Sequence, residues 1–363
     1  MYNMFHVVLG WIATIVLSLG ITPFVKAFAF KIGATDKPDK RRVNTKEMPT
    51  IGGLAIYLAY FISMFFFQPL PFEQIMPLFI GATLIIITGI IDDVKEISPK
   101  MKLLGILLAA LVIYFIGDIK MTTLSLPFIG TFELGWLSFP LTIVWILAIT
   151  NAINLIDGLD GLAAGVSIIA LSTMGIIGYF FLNVMNIPIT IMIFTLVFAT
   201  LGFLPYNFNP AKIFLGDTGA LFLGFMISVM SLQGLKNVTL ISLIIPIVIL
   251  GIPITDTIYA MLRRYLNNMP ISSADKHHMH HRLMSLGLSH KQTVLSIYGI
   301  ALLFSLIALL YPLSTLLGSI LLTVAVLFGL ELFVELIGLV GENRSPLLNA
   351  LKRIAEKLNR KSK

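Results

Sequence analysis

Eleven stretches of this chain are long and apolar enough to read as membrane spans, and no other feature limits the fold as much. They cover roughly residues 4–28, 52–67, 75–91, 103–117, 139–155, 162–182, 189–204, 215–232, 238–262, 294–311 and 313–337. A helix crosses the hydrocarbon layer in about 20 residues, and in fewer where neighbours bury one end. The expected fold is therefore an all-α, polytopic membrane helix bundle with about 11 transmembrane helices. Composition leaves little room for a soluble alternative. Of 363 residues, 57% are hydrophobic and 12% charged, with a mean hydropathy of +0.95, so a water-soluble domain would lack polar surface.

Charge gives the orientation, because Lys and Arg collect in cytoplasmic loops. With the N-terminus outside and the C-terminus cytoplasmic, only Lys120 and Lys236 of the 25 Lys and Arg fall on the outer side. An even number of spans, or the opposite orientation, spoils this segregation. The first cation, Lys26, follows the first apolar run, so that run reads as a retained span and not as a signal peptide. Residues 1–342 then form one membrane domain whose inner loops are 29–51, 92–102, 151–161, 205–214 and 263–293. Residues 343–363 form a basic cytoplasmic tail that reads as an amphipathic surface helix. Outside, the alternation within 120–138 suggests a small hairpin. Basic residues spread over five membrane-proximal segments suit membrane lipid and argue against nucleic acid.

Within this topology the acids of the spans gather at one face. Asp92 and Asp93 end the third span, Asp157 and Asp160 lie in NAINLIDGLDG between the fifth and sixth, Asp217 opens the eighth, and Asp256 is near the inner end of the ninth. A charge at a helix centre costs roughly 2.5–3.5 kcal/mol on insertion scales, so such residues mark function by default. Helix capping could explain Asp217 or Asp160. It does not explain the Asp92–Asp93 pair at a helix C-terminus, where the dipole disfavours anions. Acids with no paired cation repel one another unless a positive group sits among them, and Mg²⁺ binds through one or two carboxylates plus substrate phosphates. With no cysteine in the chain, any metal is held by oxygen or imidazole. GDTG at 216–219 places glycines and free N–H groups at a helix entrance, which suits a phosphate. Phe214 reads either as a stacking plate for a base or as ordinary packing.

The last inner loop carries four histidines in five residues, His277, His278, His280 and His281. Zinc is one reading and a solvated loop another. The H-x-H-H spacing and the nearby hard acids favour a pyrophosphate-binding or proton-managing loop. His6 and His290 are isolated and carry no functional weight.

IIDDVKEISPKMKLLG, NAINLIDGLDGLAAG, NPAKIFLGDTGAL and DKHHMHHRL, in this order and each at an inner span end, resemble the polyprenyl-phosphate N-acetylhexosamine-1-phosphate transferase family, glycosyltransferase family 4. The resemblance runs from about Thr35 to Leu288 and points to the bacterial GlcNAc-1-phosphate branch, with a likeness to wall teichoic acid initiators. It implies Mg²⁺-dependent transfer of GlcNAc-1-phosphate from UDP-GlcNAc to undecaprenyl phosphate, with UMP released, at the cytoplasmic face of the bacterial plasma membrane. Mn²⁺ is an expected substitute and a homodimer a family-level expectation. The resemblance also assigns roles. Asp92 and Asp93 serve the acceptor phosphate, and Asp157 works beside the metal as a further catalytic group. Asn154 and Asp217 are metal ligands. Asp160, Asn207, Phe214, His278, His280, His281, Lys46 and Lys102 bind the nucleotide sugar. Relatives often carry Gln where this chain has Ile106, so that helix position is not expected to act directly.

The chemistry joins two anions, so positioning and charge neutralisation should dominate. His and Lys are expected to supply positive character. Asp92 is expected to orient a phosphate that is already nucleophilic, its second pKa being about 6. Three rivals remain. Phospho-N-acetylmuramoyl-pentapeptide transfer is the nearest within the family. An ion-coupled transporter would place its acids near the midplane, often in repeated halves. DGLDGLAAG partly matches the CDP-alcohol phosphotransferase signature but lacks the Arg after its first DG and the later Asp pair.

Overall fold

In the computed structural model, residues 3–37, 47–126, 130–181, 187–233, 240–266, 268–269, 278–339 and 345–361 are described. Lys46 and His277 lie outside them. Every apolar run named above coincides with a helix: α1 (Met4–Ile32), α2 (Gly53–Phe66), α3 (Phe72–Lys95), α4 (Pro99–Phe115), α5 (Ser138–Ile156), α6 (Leu162–Phe180), α7 (Ile187–Asn207), α8 (Gly216–Gln233), α9 (Leu240–Ile249), α10 (Gly251–Leu266), α12 (His290–Leu310) and α13 (Leu316–Ile337). A short α11 (Met279–Ser285) precedes α12, and α14 (Pro346–Lys361) ends the chain.

Seven helices among the described residues are long and apolar enough to cross a membrane. The protein is thus a multi-pass membrane helix bundle, although the expected count of eleven exceeds these seven. The difference is local. α2 spans 14 residues and α4 spans 17. α8 carries Asp217 at one end and Gln233 at the other. The ninth run divides into α9 and α10, where Pro253 has no N–H to give the Ile249 carbonyl.

α8 is the centre of the bundle. Residues 218–232 are all buried, and the helix packs on α3 and α5 and touches α2, α6 and α7. A helix that is apolar all round belongs inside. Apolar helices gain little from leaving lipid for one another, so close packing of small residues drives their association. Gly53 and Gly219 show this at the α2–α8 crossing, where a Cβ on either would run into the other's backbone.

Helix starts follow capping chemistry. Asn3, Ser98, Ser289 and Thr315 cap α1, α4, α12 and α13, and Ser289 with Gln292 forms a full capping box. The small hairpin is present as β3 (Thr123–Leu126) paired antiparallel with β4 (Gly130–Glu133). A second pair was not foreseen: β1 (Thr35–Asp36) pairs antiparallel with β2 (Met48–Pro49).

Candidate functional site

A cavity of about 940 Å³ opens at one end of the bundle. Its walls come from β1 and β2, the α3 C-terminus, the α5–α6 and α7–α8 connections, and the α11–α12 region. Asp92, Asp93, Asn154, Asp157, Asp160, Asn207, Phe214, Asp217 and His281 all line it.

Lys102, in the first turn of α4, joins two of the acids. Its Nζ lies 2.5 Å from Asp92 Oδ2 and 3.0 Å from Asp217 Oδ1. Asn154 Nδ2 also donates to Asp217 Oδ1. The expectation that no cation stands beside the acids therefore fails for this pair. Among the described residues, that is one ammonium beside the five motif aspartates of the cavity.

Asp93 corrects a second expectation. Its Oδ1 accepts from the Asp217 N–H at 3.1 Å, and its Oδ2 from the Thr218 N–H at 3.0 Å and the Thr218 hydroxyl at 2.6 Å. A helix cap does account for this residue, but the helix is α8 and not its own. The α8 entrance is tight. Gly216 has φ +72°, and a Cβ there would meet the Thr50 carbonyl and the Asp93 carboxylate, so only glycine fits. Asp92, 6% exposed, also accepts from the Ile97 N–H at 2.9 Å, which fixes the turn into α4.

Asp157 ends α5 with no side-chain donor among the described residues. Burial first, then the charges of Asp217, Asp93 and Asp160, push its carboxyl well above the usual carboxylate range. Asp160 ties its loop to the next one, its Oδ2 accepting from Asn209 Nδ2 at 3.0 Å and the Ala211 N–H at 3.1 Å. Asn207 gives Nδ2 to the Ile213 carbonyl at 3.2 Å, while its Oδ1 is buried with no partner among the described residues. Phe214 is held through its backbone, N–H to Pro49 O at 2.8 Å and C=O to Gly52 N–H at 3.0 Å.

The histidines divide. His281 reaches the cavity, whereas His278 and His280 are not on its wall. His278 Nδ1 lies 2.8 Å from Asp256 Oδ2, and Asp256 Oδ1 accepts from the Met279 N–H at 2.8 Å. Asp256 thus caps α11 and does not join the other acids. The His278 and His280 rings lie nearly parallel with centroids 5.9 Å apart, and the His280 ring packs against Gly158. Burial first, then the neighbouring His281, push His280 down to about 3, so it is neutral at working pH and supplies no positive charge. His290, set aside as isolated, lines the cavity, and its Nε2 accepts from the Asp160 N–H at 3.0 Å. Ile106 is fully buried.

Among the described residues, no three His, Asp or Glu side chains form a metal cage by themselves, which leaves the zinc reading without support there. The donor set does fit a hard cation that keeps water and phosphate ligands: Asp217 beside the Asn154 amide, with Asp157 lacking any donor nearby.

Comparison with known proteins matches residues 75–235 to the model of glycosyl transferase family 4. A probable undecaprenyl-phosphate N-acetylglucosaminyl 1-phosphate transferase of Bacillus subtilis is 45% identical over 98% of this chain and 99% of its own length. A decaprenyl-phosphate N-acetylglucosaminephosphotransferase of Mycolicibacterium smegmatis is 32% identical over 76% of this chain and 75% of its own. A phospho-N-acetylmuramoyl-pentapeptide-transferase of Halalkalibacterium halodurans is 30% identical over 83% and 95%. The chain therefore belongs to glycosyl transferase family 4, the polyprenyl-phosphate N-acetylhexosamine-1-phosphate transferases, and is a glycosyl-1-phosphate transferase.

Proposed function

We propose that the protein transfers GlcNAc-1-phosphate from UDP-GlcNAc to undecaprenyl phosphate, releasing UMP, at the cytoplasmic face of the bacterial plasma membrane. The product is the first lipid-linked intermediate of a cell-wall glycopolymer, teichoic acid being the favoured one. The observation that carries this reading is the meeting of Asp92, Asp157 and Asp217, from three separate segments, in one cavity at one end of the bundle. The similarity to the Bacillus subtilis protein supports the choice of substrates.

In this reading Asn154 and Asp217 hold Mg²⁺, or Mn²⁺ in its place. The ion, when bound, supplies positive charge to the nucleotide diphosphate and to departing UMP. Asp92 orients the acceptor phosphate, one oxygen of which attacks the sugar-bearing phosphorus as the bond to UMP breaks. Lys102 Nζ, already between Asp92 and Asp217, balances the two phosphates as they approach. Asp157 adds negative charge beside the metal, and Asp93 keeps the α8 entrance in place. The partnerless Asn207 Oδ1 suits the uracil N3–H, with Phe214 as the stacking face. His281 and the flanking His278 and His280 close the sugar-phosphate side. Lys46 is assigned to substrate binding by family resemblance alone. Attack is direct, without a covalent enzyme intermediate.

UMP release that requires both UDP-GlcNAc and undecaprenyl phosphate tests the reaction; release with either one alone, or none with both, contradicts it. Muramoyl-pentapeptide transfer remains the second reading, carried by the relatives of that name. Assay of the purified protein against a panel of UDP-sugars separates the two.

A further inference from the structure

The Asp157–Gly161 loop is held from outside by a helix that lies beyond residues 75–235. His290, the first residue of α12, takes the Asp160 N–H on Nε2 at 3.0 Å. Two turns further along the same helix, the Tyr298 hydroxyl donates to the Gly161 carbonyl. The two bonds tie the adjacent residues Asp160 and Gly161 to one helix. Gly161 sits in the left-handed region, φ +79°, where the loop turns into α6. The Ser289–Gln292 capping box fixes the α12 start and so the place from which His290 reaches. Because a backbone N–H donates to Nε2, that nitrogen is unprotonated and the ring hydrogen is on Nδ1.

What the loop passes on is as specific. The Asp160 carboxylate, once its backbone is held, reaches Asn209 Nδ2 and the Ala211 N–H. That turn follows Asn207 and leads to Phe214, both on the cavity wall. An ordered path runs from α12 through the loop to the end of the cavity assigned above to the nucleotide.

We propose that His290 and Tyr298 are positioning residues that clamp the Asp160–Gly161 segment and thereby set affinity for the nucleotide sugar. The proposal rests on the function given above and deepens it. Neither residue needs to touch substrate.

Three variants of the full-length protein test it: His290→Leu, His290→Gln and Tyr298→Phe. Gln places an amide oxygen about where Nε2 stands and can accept the same N–H, whereas Leu cannot. His290→Leu is expected to raise KM for UDP-GlcNAc about tenfold, the order expected when a partly buried amide loses its acceptor. KM for the polyprenyl phosphate and kcat should stay within about twofold, and His290→Gln should restore most of the loss. Wild-type KM in His290→Leu, or equal damage in the Leu and Gln variants with a lower Tm, overturns the clamp. If His290→Leu does not fold, Tyr298→Phe carries the same test and should show the same nucleotide-selective rise; an unchanged KM there overturns the proposal. Amide hydrogen exchange of a peptide spanning 157–161 is read without substrate. Faster exchange in His290→Leu and Tyr298→Phe supports the clamp, and unchanged exchange overturns it. A wild-type protein that releases no UMP would sink the parent reading, and the exchange result would still decide the clamp.

Discussion

Replacing Asp93 separates a structural acid from a chemical one. In Asp93→Ala, α8 loses the acceptor of two backbone N–H groups and of the Thr218 hydroxyl. A lost N-cap costs about 1 kcal/mol, and leaving buried donors unpaired adds about 1–3 kcal/mol. The sum is roughly 2–4 kcal/mol, falling on the helix at the centre of the bundle. Thermal unfolding in detergent should show Tm lowered by roughly 3–5 °C. Activity should fall with it, because Asp217 opens the same helix. Asp93→Asn keeps one acceptor oxygen and should lie between the two. Asp217→Asn keeps every donor of the α8 entrance, so it should melt near wild type while transfer is lost. An Asp93→Ala protein that melts like wild type yet is inactive would refute the capping argument and make the residue a direct participant in chemistry.

Other outcomes follow from the same geometry. Asp157→Asn should abolish transfer and raise Tm: the folded-state pKa lies above the unfolded one, so ionising Asp157 erodes stability as pH rises from about 4. The Tm gain over wild type should therefore be larger at pH 8 than at pH 5, and a gain that shrinks with pH contradicts it. For His280 the sign is opposite, since a pKa lowered to about 3 makes stability fall as pH drops below about 6.5. His280→Gln should flatten that acid limb in a melting series. Lys102→Met leaves Asp92 and Asp217 without their shared cation and should cut kcat by about 100-fold, read from UMP release at saturating substrates. Chelation by EDTA should silence the enzyme, with Mg²⁺ and then Mn²⁺ restoring it.

The helices were legible because a span is a local signal: about 20 apolar residues state it outright. The break between α9 and α10 was not read, since an apolar run hides a missing backbone bond unless its prolines are weighed. Most of the motif acids were legible as a cavity lining, but their partners were not. Asp93 reaches donors 124 and 125 residues downstream, and His290 meets a loop 130 positions earlier. No spacing rule spans such separations. One local sign did exist for His290, because the Ser289–Gln292 box announces a helix start and sets that ring at its mouth. Asp256 misled for the converse reason: its depth matched the other acids, yet a histidine 22 residues on claims it.

Iron-directed cleavage offers the most direct measurement of the central claim. With Fe²⁺ in place of Mg²⁺, UDP-GlcNAc bound, and ascorbate and peroxide added, hydroxyl radicals cut the backbone beside the ion. The account predicts cuts near Asp92, near Asn154 to Asp157 and near Asp217, all lost in Asp217→Asn. Cuts confined to the histidine segment at 278–281, or none in any of the three acidic segments, would contradict it.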